Sequence, residues 1–258
     1  MSHLLIEVNP NQKDKDEVRK KLKSITTSLD ADKQKLAEDF YDNFIMGIAA
    51  KDIDLKHPPK LVDSAILIPV ILDKNNELKV LLTIRTTKVS LYSNEVSFPG
   101  GKWEKKDAAF SVTALRETFE EIGLHQENVD IVSSFLTLST FRKQKIYKVH
   151  SFIGLVKKSF YAHLNQKEVQ DILLVPFSSF LNTFARMSAH GLVRQHSSFE
   201  VFGMTHVYLV LLSLMLYPKE DTLAYINFLR TKNFLYSESI LGMYDIFNAN
   251  YFTLKSKL

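Results

Sequence analysis

Two stretches of helical periodicity open the chain. Val18, Leu22 and Ile25 fall on one face of a first amphipathic helix, and Leu36, Phe40, Phe44 and Ile48 on one face of a second. Residues 28–32 (SLDAD) between them supply turn and N-cap side chains, and the charges of both helices read as a solvated face. His57-Pro58-Pro59 marks a connector. The pattern then shortens. Residues 64–72 (SAILIPVIL) predict a buried strand, residues 73–77 (DKNNE) a turn, and residues 77–85 (ELKVLLTIR) an alternating strand that ends at Arg85. Residues 94–98 lead as a strand into a Pro-Gly-Gly turn, followed by a polar loop and a helix that stops at Gly123. Residues 129–138 and 146–156 predict two more strands, and residues 207–216, apolar on nearly all sides, a core-packed helix. Residues 225–252 hold further helical, aromatic-rich pieces. The mixture predicts an α+β fold.

The stretch with most chemistry is residues 98–124, FPGGKWEKKDAAFSVTALRETFEEIGL. Glu117, Glu120 and Glu121 stand at i, i+3 and i+4, so their carboxylates share one helical face. Leu115, Phe119 and Ile122 fall on another face and are expected to bury. Three stacked acids repel one another unless a positive charge sits between them. A hard divalent cation, Mg²⁺ or Mn²⁺, answers that need with carboxylate oxygens and retained waters. Arg116 beside the cluster is placed to hold one carboxylate bidentately. The plainer alternative is an acidic, solvated helix face.

The flanks decide between these. The upstream Gly-Gly turn and RETFEEIGL resemble the Nudix box, with the core REUxEExGU matched by Arg116, Glu117, Thr118, Glu120, Glu121, Gly123 and Leu124. Gly101 lies 15 positions before Arg116, one more than in the generic box. Where that box carries a further glutamate ahead of the arginine, this chain has Ala108, with Asp107 beside it. Residues 81–101, LLTIRTTKVSLYSNEVSFPGG, are similar to the additional motif of the coenzyme A diphosphatase branch, LLTxRSxxLRxHxGQVxFPGG. Ser90, Tyr92, Asn94 and Glu95 stand where that motif has Arg, His, Gly and Gln.

The resemblance covers residues 61–216. It implies an α/β/α sandwich with a mixed sheet over residues 61–218; the helical extension (1–60) before it and the helical C-terminal segment (219–258) after it rest on periodicity and lie outside the resemblance. It implies that Glu117, Glu120 and Glu121 bind metal and that coenzyme A or an acyl-coenzyme A is cut into 3′,5′-ADP and a 4′-phosphopantetheine. ADP-ribose or a dinucleotide such as NADH is the alternative substrate, and a non-catalytic nucleotide-binding domain the alternative role. Arg116 would position the acids. Glu120 or Glu168, the latter in NQKEVQDILLVP, would serve as general base, with local capping as the other role open to Glu168. Arg85 and Lys88 are candidate phosphate contacts, and Gly100 and Gly101 let the backbone approach substrate and helix closely. Trp103 is a candidate for stacking on adenine or for packing over the domain. The basic residues 141–145 (FRKQK) are either a charged hairpin tip or a phosphate-binding loop.

Composition adds limits. Apolar residues at 45% and charged residues at 24% suit a globular chain. A net charge of +4 suits a phosphate-rich substrate and is too small to argue for nucleic acid. Cysteine is absent, so thiol nucleophiles and disulfides are excluded. The first residues lack the apolar core of a secretory signal, and no apolar run is long enough to span a bilayer. Ser256, Lys257 and Leu258 form an address read by the peroxisomal import receptor, so a peroxisomal location is expected.

Overall fold

The structure is a computed structural model and describes residues 4–27, 31–50, 57–86, 95–180, 192–194, 197–199, 201, 203–217 and 243. Lys88, Ser90, Tyr92, Asn94, the helical pieces expected over residues 225–252 and the Ser256-Lys257-Leu258 motif lie outside the described residues, as does the 28–32 turn apart from Ala31 and Asp32.

In chain order the elements are β1 (Leu4–Ile6), α1 (Gln12–Thr27), α2 (Ala31–Ala49), β2 (Lys60–Leu72), β3 (Leu78–Arg85), β4 (Val96–Ser97), β5 (Gly100–Lys102), α3 (Phe110–Ile122), β6 (Val129–Arg142), β7 (Lys145–Val156), β8 (Phe160–Ala162), β9 (Val169–Pro176), β10 (Leu192–Arg194), β11 (Ser197–Phe199) and α4 (Gly203–Leu216). Strand β2 is the spine. It runs parallel to β7 from Lys60 to Val70, and its end turns back antiparallel onto β3. Gly100–Lys102 pairs antiparallel with Ser64–Ile66 of the same strand. The sheet order is β4-β3-β2-β7-β6, with β5 added on β2 and β9 on β3. This is the mixed sheet expected, and it carries helices on both faces.

The alternation along β2 explains the layering. Ile68 and Val70 point into a core shared with Leu22 of α1, Tyr41 of α2 and Leu209 of α4, while Ala65, Leu67 and Ile71 point into a second core with Ala114 and Ile122 of α3. A strand buried on both sides needs a continuous apolar run, which SAILIPVIL provides. The N-terminal helices thus pack into the same core as the sheet, and β1 pairs with β8.

Two expectations about these helices change. On α2 the fully buried stripe is Ala37, Tyr41, Ile45 and Ala49, whereas Phe40 is 40% exposed. The helix is rotated so that its small residues and one tyrosine, not Phe40, meet the sheet. Its charges are also not all solvated. Glu38 accepts a hydrogen bond from Thr137 N at 2.7 Å, and Asp42 accepts from Ser139 N and Oγ, both at 2.9 Å. These carboxylates satisfy backbone donors of β6, the last strand in the sheet order, and so cover that edge.

Candidate active site

Helix α3 begins at Phe110, after an extended Ala109, and ends at Gly123 with φ 75° and ψ 14°, whose N–H donates to the Phe119 carbonyl. This is the left-handed C-cap that a glycine adopts without strain. The inward face carries Thr113, Ala114, Thr118, Glu121 and Ile122. Phe119, expected to bury, is instead 45% exposed and lies against His125 with ring centroids 4.4 Å apart. It shares its helix side with Val112, which is likewise exposed.

The Gly-Gly turn seats this helix against β2. Gly100 N donates to Glu121 Oε2 at 3.2 Å. A Cβ on Gly100 would come within 2.3 Å of the Ala65 carbonyl oxygen, and one on Gly101 within 2.4 Å of the Glu117 carboxyl carbon. Gly100 therefore requires glycine, because its neighbour is rigid strand backbone, whereas at Gly101 a side chain would have to displace the end of the Glu117 carboxylate.

Arg116 is clamped. Its Nε donates to Asp107 Oδ1 at 3.0 Å and its Nη2 to Asp107 Oδ2 at 2.9 Å. Asp107 also accepts from Thr113 Oγ1 and Glu104 N. The Arg116 guanidinium holds the Asp107 carboxyl well below the usual carboxylate range, and Asp107 in turn raises the arginine further. From this seat Nη1 reaches Glu117 at 2.9 Å and Glu120 at 3.2 Å. The bidentate partner of Arg116 is thus Asp107 rather than a member of the glutamate face.

Glu121 is 3% exposed, and burial pushes its carboxyl up to about 8, with Glu117 and Glu168 adding repulsion against relief from Gly100 and Arg85. Burial also raises Glu117, against attraction from Arg116, and Glu120 and Glu168 raise it further. Glu168 arrives through the end of α3: His163 N and Asn165 N cap the carbonyls of Ile122 and Glu121, and Asn165 Nδ2 donates to Glu168 Oε1 at 3.2 Å. Thr86 N donates to the Glu168 carbonyl, which brings Arg85 to the same place. Among the described residues, no three acidic or histidine side chains close around one point, since Glu117 and Glu120 both turn toward Arg116. The donor chemistry nonetheless fits a hard divalent cation. Glu121 is a buried carboxyl raised by its burial and by the neighbouring Glu117 and Glu168, an environment that a bound cation would relieve.

The structure therefore gathers Arg85, Gly100, Gly101, Arg116, Glu117, Glu120, Glu121 and Glu168 into one region. Trp103 is 41% exposed, donates Nε1–H to the Asp107 carbonyl at 3.2 Å, and meets Phe110 edge-on. Asp107 is the residue that sequence reasoning left without a role. Its signal was its place one residue from the missing box glutamate.

Residues 62–194, just over half of the chain, match the family model described as the NUDIX domain. An Arabidopsis thaliana protein named "Nudix hydrolase 22, chloroplastic" is 38% identical over 127 residues, covering 48% of this chain and 41% of that protein. A Mus musculus protein named "Peroxisomal coenzyme A diphosphatase NUDT7" is 34% identical over 118 residues, 46% of this chain and 48% of its own. A Caenorhabditis elegans protein named "Peroxisomal coenzyme A diphosphatase ndx-8" is 30% identical over 149 residues, 57% of this chain and 58% of its own. The chain spans about half the length of these relatives.

Proposed function

This chain belongs to the Nudix family, and on that premise we propose that it hydrolyses the diphosphate bond of coenzyme A or an acyl-coenzyme A, releasing 3′,5′-ADP and 4′-phosphopantetheine or its acyl form. The reading is supported by the activity for which the mouse and nematode relatives are named and by the matching residues of the 81–101 stretch. The observation that carries it is the seat of Gly100 and Gly101 against Glu121 and Glu117, which puts a bare backbone turn against two carboxylates of the glutamate helix.

Glu117, Glu120 and Glu121 would hold Mg²⁺ or Mn²⁺. When bound, the ion supplies positive charge to the diphosphate oxygens and acidifies a water. The remaining work falls to the chain. Asp107 keeps Arg116 extended along the acids, so Glu117 and Glu120 are presented in one orientation. Arg85 adds a guanidinium beside Glu121 for a phosphate oxygen, where charge develops as the bond breaks. The proton of the attacking water passes to a carboxylate. Glu168 suits this role better than Glu120, because Glu120 Oε2 is engaged by the Arg116 guanidinium while Glu168 Oε1 accepts a neutral amide, that of Asn165.

A second substrate class, ADP-ribose or NADH, is favoured by one feature. Glu95 replaces the glutamine of the coenzyme A motif and pairs with Arg142 at 3.8 Å. Hydrolysis of coenzyme A, an acyl-coenzyme A, ADP-ribose and NADH in parallel, with Mg²⁺ and with Mn²⁺, separates the two. Release of 3′,5′-ADP from the coenzyme A substrates alone is expected. Preference for ADP-ribose or NADH would replace the first reading with the second, and no turnover would remove both. A peroxisomal location belongs to the same proposal, on the names of the mouse and nematode relatives and the Ser256-Lys257-Leu258 motif. Imaging of an N-terminally tagged chain, with and without those three residues, tests it.

A further inference from the structure

At the start of β2, three adjacent strands set like charges side by side. Lys60 on β2 is in register with Lys145 on β7, and Lys145 with Arg142 on β6. Residues in register project from the same face, and like charges so placed destabilise a sheet. Lys143 follows at the tip of the β6–β7 hairpin. That turn is itself unfavourable. Lys143 and Gln144 have φ 47° and 55°, the two left-handed conformations that a two-residue hairpin turn demands. Asn-Gly adopts them with least strain, and the β2–β3 turn does place an asparagine, Asn76, at its φ of 62°. The β6–β7 turn places a lysine there, so strain is tolerated where a cation is kept.

The tip is also tied to the catalytic region. Arg142 Nη2 lies 3.8 Å from Glu95 Oε2, with the two side chains 39% and 25% exposed. The Glu95 carbonyl in turn accepts the Arg85 N–H at 3.0 Å. Glu95, on the segment that leads through β4 to Gly100, thereby holds the hairpin cation alongside β3, the strand that carries Arg85.

We propose that Lys60, Arg142, Lys143 and Lys145 form a second anion subsite, which takes a phosphomonoester on the nucleotide part of the substrate, apart from the diphosphate at the glutamate helix. The inference rests on the reading of the chain as a hydrolase of nucleotide-linked diphosphates and names a feature its substrate carries. A phosphomonoester brings nearly two negative charges and three acceptor oxygens, which neutralises the opposed cations. Arg142 offers the planar fork and the lysines offer compact charges. The subsite selects nucleotides phosphorylated on the ribose over those that are not.

The test uses Lys143→Asn. Asparagine suits the left-handed turn, so the variant removes the cation while favouring the fold, and its melting temperature should not fall. Calorimetric binding of 3′,5′-ADP and of 5′-AMP to wild type and variant reads the subsite without turnover. Wild type should prefer 3′,5′-ADP, and the variant should lose about 5- to 10-fold of that preference. The kcat/KM ratio for coenzyme A over dephospho-coenzyme A should fall by the same factor. Lys145→Gln should act in the same direction. Equal binding of the two nucleotides by wild type, or an unchanged preference in both variants, overturns the subsite. Preference for 3′,5′-ADP that the variants lose, without hydrolysis of either coenzyme, keeps the subsite and overturns the hydrolase reading instead.

Discussion

Replacing Asp107 tests whether the clamp on Arg116 organises this region. The Asp107 side chain is 2% exposed and that of Arg116 14%, and four donors converge on the one carboxylate: Arg116 Nε and Nη2, Thr113 Oγ1 and Glu104 N. Removing one partner of a buried ion pair costs about 3–5 kcal/mol, because the other is left uncompensated. Asp107 lies shallowly beneath the polar loop before α3, and Arg116 keeps Glu117 and Glu120, so Asp107→Ala should cost about 2–3 kcal/mol. For a chain of this size that lowers the melting temperature by about 4–12 °C. Circular dichroism melts in chelator read it free of any stabilisation by bound metal. The pH dependence carries a definite sign. The native Asp107 carboxyl lies below its unfolded value, so its contribution is fully present above the unfolded value of about 4 and is lost as pH falls through the native one. The stability difference between wild type and Asp107→Asn should be constant from pH 7 to 5 and shrink below pH 4. A loss under about 1 kcal/mol for Asp107→Ala, or a difference unchanged at pH 3, would refute the clamp.

Glu121→Gln should lower turnover by about two to three orders of magnitude, while leaving the melting temperature within a few degrees, because the carboxyl it replaces is already raised to about 8; kinetics beside calorimetry decide it. The two glycines should separate. Gly100→Ala drives a Cβ to 2.3 Å from a backbone oxygen and should destabilise the fold by about 2–3 kcal/mol, seen in urea unfolding. Gly101→Ala meets only the end of the Glu117 side chain, so it should leave stability largely intact and weaken the dependence of activity on Mg²⁺ concentration. Asp42→Ala leaves Ser139 N and Oγ without their carboxylate and should cost about 1–3 kcal/mol, with faster amide exchange at Ser139 than at buried β7 amides.

Periodicity made the strands and helices of this chain legible because each is long enough to repeat. The apolar run of β2 implied burial on both faces, and the i, i+3, i+4 spacing of Glu117, Glu120 and Glu121 implied one helical face. The same reading misplaced Phe40 and Phe119, because periodicity marks a stripe to within about one residue and cannot say which flank meets a neighbour. It assigned Glu38 and Asp42 to solvent, since nothing local reveals that a distant strand edge needs two acceptors.

The site shows the same division at closer range. Gly100, Gly101 and the glutamates were readable because a tight turn and a carboxylate face are local chemistry. Asp107 was not, because its role depends on a loop folding back so that an acid before the helix meets an arginine inside it. The extra residue between Gly101 and Arg116 bears on this. It lengthens the loop that carries Asp107 back to Arg116. The opposed charges of Lys60, Lys145 and Arg142 are further still from local pattern, since only strand register brings them together. Features that cost stability across such distances are poor candidates for structural roles. That is the reason to look for function in the hairpin tip rather than in the many solvated lysines elsewhere on the chain.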